Sequence, residues 1–419
     1  MSRGARVWDR GPSGWWPGSR KSYGAGNLPD VVGGASGSPR LADVVAVLDQ
    51  LYDPAWAQPW DAVGLVAGDP DAAVRRVLFA VDPVAAVADE ALSTGVDLLV
   101  THHPLFLRPV CGVPATTGKG RLLHRLITGG VSLHVAHTNA DVASPGVSDA
   151  LASTLGLVDV RSLEATPADP LDKIVTFVPH PDVERVIDAL AAAGAGAIGR
   201  YSRCAWTAAG TGTFRPGPGA TPAIGRPGEI EVVAESRVEM VLPRERRGAV
   251  VDALRAVHPY EEPAYDVFEL ALPPGPRGLG RVGELANAEP LRAFLARAAD
   301  RLPATAAGVR AVGDPGRAIR TAAVCGGSGG DLLDRARTMG ADVLLTADLR
   351  HHPASELAEE GGPALVDAAH WATEYPWLAE AAQLLGAELA AAGTTVEMAV
   401  SRVRSDPWTL HLPSPSKEH

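Results

Sequence analysis

Two stretches far apart in the chain read alike, Gly95-Val-Asp97-Leu-Leu-Val-Thr101 and Gly340-Ala-Asp342-Val-Leu-Leu-Thr346. Each places a helix-stopping glycine before a short apolar run. Each also follows an apolar strand and a helix, at 77–81 and 84–93 in the first case and at 321–324 and 331–339 in the second. Short apolar strands alternating with helices bury both faces only in a parallel-type sheet covered on each side. The pattern predicts an α/β core of two related halves, whether by internal duplication or by convergence on common α/β grammar. Leu41, Val44, Val45, Leu48 and Leu51 predict a helix ahead of the first half, closed by the turn-rich residues 53–59.

The segment between the halves has a different texture. It reads as a strand at 173–178, a helix at 181–193, strands or a hairpin at 204–214 and 231–240, a helix at 244–257 and a strand at 265–270. That order is the order of a ferredoxin-like α+β module. Pro-rich punctuation at 165–170 and 272–277 marks it as an insert. The expected division is a disordered leader at 1–39, the first half of the core at 40–168, the insert at 170–275, the second half at 278–404 and a flexible tail at 405–419.

Composition removes several function classes. Thirty-eight Lys+Arg against 49 Asp+Glu leave a net charge of −11, which argues against nucleic acid or an anionic membrane as a partner through bulk charge. Cys111, Cys204 and Cys325 are three and widely spaced, so neither a disulfide framework nor a CxxC metal knuckle is available, and a reducing cytoplasm is the expected location. The apolar runs at 96–100 and 343–345 are far below the roughly 20 residues that span a bilayer. No continuous apolar run in the leader makes a secretory signal.

Three groups of residues at strand ends could carry chemistry, because the loops at the C-terminal edge of an open α/β sheet converge on ligands. Thr101-His102-His103-Pro104 leaves one apolar strand; taken alone, the pair reads either as metal ligands or as loop histidines. Ala136-His137-Thr138-Asn139-Ala140-Asp141 leaves another, with Asp141 a ligand or a turn residue and His137 and Asn139 in support. In Asp367-Ala-Ala-His370-Trp-Ala-Thr-Glu374, His370 and Glu374 are one helical turn apart and face one side. An exposed pair would look identical, but this one also follows a strand. His102, His103, Asp141, His370 and Glu374 mix imidazole and carboxylate without thiolate, a set suited to Zn, Mn, Fe or Ni. Five ligands are too many for one open catalytic zinc and suit two ions, with Glu374 or water between them.

Further residues have two readings each. Asp82 either supports the metal ligands or caps the following helix, and His352 is either a proton donor beside the metals or a surface histidine. Gly326-Gly-Ser-Gly-Gly330, between a strand and a helix, either cradles a phosphate or makes a tight turn. The runs at 211–212 and 216–219 read as a flexible hairpin loop, and Cys325 as a small packed residue.

From about Leu41 to Arg404 the sequence resembles the GTP cyclohydrolase I type 2 homologue family, also called the NIF-three-like dinuclear-metal proteins. The resemblance rests on Trp60-Asp61-Ala-Val-Gly64-Leu65, Thr101-His102-His103-Pro104, His137-Thr138-Asn-Ala-Asp141, Gly278-Leu-Gly280-Arg281-Val-Gly283-Glu284-Leu285, Thr346-Ala-Asp348 with His352, and His370 through Glu374. It implies two divalent metals per chain on His102, His103, Asp141, His370 and Glu374, with Glu374 bridging. Zinc is the first choice, with Mn, Fe or Ni behind it. It also implies a PII/CutA-like insert, carried by His258-Pro-Tyr-Glu-Glu-Pro-Ala-Tyr-Asp266, and a toroidal homohexamer. The family usually has Asn where Ala62 stands and Gly where Ala347 stands.

The function expected from residues and resemblance together is a two-metal hydrolase. It would act on a nucleotide or other phosphorylated small molecule through metal-bound hydroxide. The alternative is a metal-binding regulator or trafficking protein whose insert senses a ligand without turnover. The substrate stays open.

Overall fold

The computed structural model describes residues 38–199 and 201–412. The leader expected at 1–39 lies outside the described residues up to 37, as does the end of the tail from 413 onward. The chain forms two compact units. One is Leu171–Leu270, and the other joins the flanking stretches, up to Pro170 and from Ala271 onward.

The larger unit begins with α1 (Leu41–Leu51), β1 (Gly64–Ala67), β2 (Arg76–Ala80), α2 (Ala85–Thr94), β3 (Leu98–Thr101), α3 (Gly118–Thr128), β4 (Ser132–Val135), α4 (Thr138–Val142), α5 (Val147–Leu155) and β5 (Leu157–Ala165). The smaller unit holds β6 (Leu171–Pro179), α6 (Val183–Ala192), β7 (Trp206–Phe214), β8 (Glu231–Pro243), α7 (Arg247–Val257) and β9 (Tyr265–Glu269). The larger unit resumes with β10 (Gly278–Pro290), α8 (Leu291–Arg301), β11 (Val309–Val312), β12 (Ala318–Ser328), α9 (Leu333–Thr338) and β13 (Val343–Ala347). It closes with α10 (His351–Glu359), β14 (Ala364–Ala368), α11 (His370–Ala391) and β15 (Glu397–Val400).

Its strands make two sheets, β1-β4-β3-β2-β15 and β11-β14-β13-β12-β10-β5. The buried strands β2, β3 and β4 pair in parallel, with β15 added in parallel beside β2, in one sheet, and β12-β13-β14 pair in parallel in the other. The remaining pairings, β1 with β4, β10 with β12 and β5, and β11 with β14, are antiparallel. The sheets are therefore mixed rather than purely parallel. The reason lies in the edges: β1, β5, β11 and β15 are short, glycine-bearing or largely exposed, so no apolar run marks them in the sequence.

The repeated Gly-x-Asp stretch does the same work twice. Gly95 and Gly340 end their helices with φ of 65° and 72°, a left-handed turn that costs glycine little. Two residues later, Asp97 Oδ2 accepts the amides of Arg75 and Arg76 at 2.7 and 3.1 Å. Asp342 Oδ2 accepts those of Arg320 and Thr321, both at 2.9 Å. Each carboxylate pins the start of the neighbouring strand.

α11 packs against strands of both sheets, β2 and β15 on one side and β12 and β13 on the other, as well as α1 and α5. Trp371, Glu374, Trp377, Leu378, Ala381, Leu385 and Leu389 are all buried along it. A helix covered nearly all round is what a position between two layers requires. It is also how a glutamate comes to be buried in this protein.

In the smaller unit the sheet order is β7-β8-β6-β9, with every neighbour antiparallel and α6 and α7 packed on one face. This is the βαββαβ arrangement expected of the insert segment.

Candidate metal centre

Strand ends of both sheets deliver the site. His102 and His103 follow β3, His137 follows β4, Asp141 lies on the short α4, and α11 begins at His370, so that Glu374 lies one turn into it. Two groups of donor atoms lie within 4.8 Å of one another: His102, His103 and His137, and His103, His370 and Glu374.

All four histidines are held the same way. Nδ1–H of His102 donates to the carbonyl of Ala136 at 2.9 Å, that of His103 to Asp82 Oδ1 at 2.7 Å, that of His137 to Asp61 Oδ1 at 2.8 Å and that of His370 to Asp348 Oδ2 at 2.6 Å. The tautomer is assigned from the acceptor each Nδ1 faces. Nε2 is thereby left as the lone pair on every ring, the arrangement in which a carboxylate or carbonyl orients a metal-binding imidazole.

Glu374 is the hub. Its Oε1 is 2.9 Å from His370 Nε2 and 3.4 Å from His102 Nε2, and its Oε2 is 3.2 Å from His103 Nε2. Asp141 Oδ1 approaches His102 Nε2 at 3.6 Å. His102 Nε2 and Glu374 Oε2 are buried without a hydrogen-bond partner. Two buried acceptor atoms left unpaired in this way call for a ligand. Gly327 leaves the room: with φ of 64°, a Cβ there would stand 2.5 Å from Glu374 Oε1 and 3.1 Å from His370 Nε2.

The electrostatics ask for positive charge. Burial opposes charging His103, but Glu374 opposite it and the hydrogen bond to Asp82 prevail and push it up to about 11. The same balance, burial against Glu374 and Asp348, pushes His370 up to about 9. Burial works to raise the Glu374 carboxyl, yet the three facing histidines hold it well below the usual range. Burial pushes Asp141 up.

His137, expected in a supporting role, stands among the candidate ligands, while Asn139 does the supporting: it accepts the His137 amide at 2.9 Å and donates to the Tyr52 carbonyl at 2.6 Å. Asp82 does not cap α2, whose cap position is Val84; it holds His103 and also accepts the Ser405 hydroxyl. Ser405 and Asp406, expected in a flexible tail, are fixed here, Asp406 being 6% exposed. His352 sits exposed in the first turn of α10 with its ring against His351, and no contact ties it to the cluster.

The glycine run is not a phosphate cradle at its first two positions. β12 continues to Ser328, and the amides of Gly326 and Gly327 are taken by the hydroxyls of Ser148 and Thr373 at 3.3 and 2.9 Å. Cys325 is 7% exposed inside an apolar cluster, where burial pushes its thiol up to about 12.

Two site residues escape a reading by spacing, Asp61 and Asp348. Both sit in motifs that carry the resemblance, and each becomes visible only as the acceptor of a histidine Nδ1. Beside the cluster, a cavity of about 600 Å³ is lined by His103, His370, Arg310, Trp371, Trp408 and His411 among others, which opens the centre to a small molecule.

Fold and site thus define an α/β protein with a buried histidine–carboxylate centre at the strand ends of two mixed sheets. The chain belongs to the Duf34/NIF3 (NGG1p interacting factor 3) family, whose model matches residues 39–407. A Mycobacterium tuberculosis protein named GTP cyclohydrolase 1 type 2 homolog is 52% identical over 374 residues, 89% of this chain and 97% of that one. A Streptomyces coelicolor protein of the same name is 40% identical over 376 residues, 90% and 96% of the two chains. Among solved structures, a Bacillus cereus protein related to NIF3 is 34% identical and covers 90% of this chain and 100% of its own, with a TM-score of 0.75. Among the described residues, no helix is long and apolar enough to cross a membrane.

Proposed function

We propose that this protein is a two-metal hydrolase of a nucleotide or other phosphorylated small molecule. The observation that carries the reading is the common orientation of four histidines, each fixed through Nδ1, with Nε2 of His102, His103 and His370 beside a buried glutamate and His137 grouped with His102 and His103. His102, His103, Asp141, His370 and Glu374 would hold the ions, with Glu374 between them and His137 at the rim.

Charge supports the number two. Asp61, Asp82, Asp141, Asp348 and Glu374 put five carboxylates on or behind neutral imidazoles, and two divalent cations offset four of those charges. The donor set suits zinc first, then Mn, Fe or Ni. Such a pair lowers the pKa of bound water and polarises a phosphoryl or carbonyl oxygen. The protein's own residues orient the imidazoles through Asp61, Asp82 and Asp348, and bury Glu374 between two sheets. Among the described residues, Arg310 is the arginine on the cavity wall, where it is paired with Asp367 at 2.7 Å. A toroidal homohexamer, a cytoplasmic location and a PII/CutA-like character for the insert belong to the same reading.

The test is metal analysis of the purified chain beside Glu374→Ala, coupled to a turnover screen over nucleotides and phosphoesters. Two ions per chain, mostly lost in the variant, with turnover lost alongside, are expected. Full metal occupancy in the variant removes Glu374 from its role. Two firmly held ions without turnover on any substrate turn the reading to the regulatory alternative.

A further inference from the structure

The smaller unit has a cavity of its own, of about 680 Å³ and within the size range of small-molecule sites. It lies on the sheet face that α6 and α7 leave bare. Ile174, Val178, Val238, Met240 and Leu242 turn toward the helices, so the alternate positions Phe177, Glu235 and Arg237 turn away from them. β7 adds Ala208, Gly210, Gly212 and Phe214 to the cavity, and the loop at 216–224 and the stretch at 260–264 close its sides.

Glu235 is the unusual member. It is 7% exposed, its Oε1 accepts the Tyr260 hydroxyl at 2.7 Å, and among the described residues no group donates to its Oε2. The carboxylate lies over Gly212, where a Cβ would come within 2.0 Å of Oε2. Tyr260 is itself held in place: buried His258 bonds the Phe177 carbonyl through Nε2 and accepts the Tyr260 amide on Nδ1, both at 3.1 Å. The Tyr260 ring packs against Phe214 with centroids 5.6 Å apart. This gives a use to the His258-Pro-Tyr260-Glu261-Glu262 motif that the metal centre leaves unexplained.

We propose that the insert is a binding site for a flat nitrogen heterocycle, uncharged or cationic, that donates an N–H to Glu235 and stacks among Phe177, Phe214 and Tyr260. Size and aromatic lining call for a planar ring system. The open Oε2 calls for a donor, because a buried carboxylate is stabilised by a charge-assisted hydrogen bond. Charge decides against a nucleotide. Among the described residues, Glu235, Glu261 and Glu262 face the cavity against Arg237 alone, and Arg237 already donates to Glu239 at 2.8 Å. A triphosphate would be repelled where a nucleoside or an aromatic amine is not.

The experiment is calorimetric titration of the full chain with guanosine, cytidine, tryptamine and, as the anionic counterpart, GTP. At least one of the first three binds, and any GTP taken up at the metal centre is indifferent to the substitutions in the insert. Glu235→Gln keeps the shape and the Tyr260 bond but halves the acceptor, and weakens binding roughly tenfold or more. Gly212→Ala displaces the carboxylate and does the same, so the pair decides even if one variant folds poorly. Metal content stays at the wild-type level in both, which separates this site from the metal reading. The proposal is overturned if none of the three probes binds, if binding is indifferent to both substitutions, or if GTP binds as tightly as guanosine and is weakened by the same two substitutions. It is also overturned if no probe binds and the substitutions instead change the oligomeric state, which would make this face a contact between copies.

Discussion

Asp61 and His137 form one buried unit: the imidazole Nδ1–H donates to Asp61 Oδ1 at 2.8 Å, and Oδ2 accepts the Thr138 amide at 3.0 Å. Burial works to raise this carboxyl, but the bonds from His137 and Thr138 hold it well below the usual carboxylate range. One aspartate thus fixes both a candidate ligand ring and the start of α4, which carries Asp141. Asp61→Ala is expected to lower metal affinity by about 10–100-fold, the usual cost of losing a group that orients a ligand. Chelator competition against the wild type measures it, and unchanged affinity would show that His137 and Asp141 need no such anchor.

The cluster links metal binding to pH. His370, raised to about 9 from 6.5, and His103, raised to about 11, favour the folded metal-free chain while protonated. That contribution is complete below 6.5 and disappears as pH climbs through about 9. Glu374, depressed below 4.5, contributes above 4.5 and loses its contribution in acid. Calorimetry in chelator should therefore show the metal-free protein losing melting temperature from about pH 6.5 to 9. Metal affinity should rise over the same interval, because the ions displace those protons. A metal-free melting temperature that climbs across this range would contradict the assignment.

Gly327 can be compared with Gly95. Both have left-handed φ, 64° and 65°, but a Cβ at Gly95 meets nothing within 4 Å, whereas at Gly327 it meets Glu374 and His370. Gly95→Ala is expected to cost about 1 kcal/mol from backbone conformation alone. Gly327→Ala should cost more and also lower metal content. Equal losses of stability with full metal in both would mean that Glu374 has room to move.

Arg281 is 1% exposed and joins four groups around α4 and α5. It donates to both carboxylate oxygens of Asp149, at 2.8 and 2.6 Å, and to the carbonyls of Gly278, Gly280 and Ala143. Arg281→Met leaves the Asp149 charge and three carbonyls without their donor, a loss of about 3–5 kcal/mol for a broken buried pair. The double change Arg281→Met with Asp149→Ala should cost less than the sum of the two single changes in urea unfolding. Strict additivity would show that the two side chains do not depend on each other.

The sequence by itself determined the elements whose physics is local. Helical spacing from Leu41 to Leu51 marks α1, apolar runs mark β2, β3, β12 and β13, and a helix-stopping glycine with an aspartate two residues on marks each repeated junction. It also determined which side chains could bind a metal, since imidazoles and carboxylates at strand ends are visible without a fold. The tertiary structure decided the rest. The edge strands have no apolar run to announce them, because their pairing comes from backbone partners distant in the chain. Asp61 supports His137 across 76 positions and Asp348 supports His370 across 22, separations at which no periodicity operates. Only the packing of α11 between two sheets buries Glu374 among three histidines. Local pattern can name such donors, but their convergence and their charge balance are properties of the packed chain.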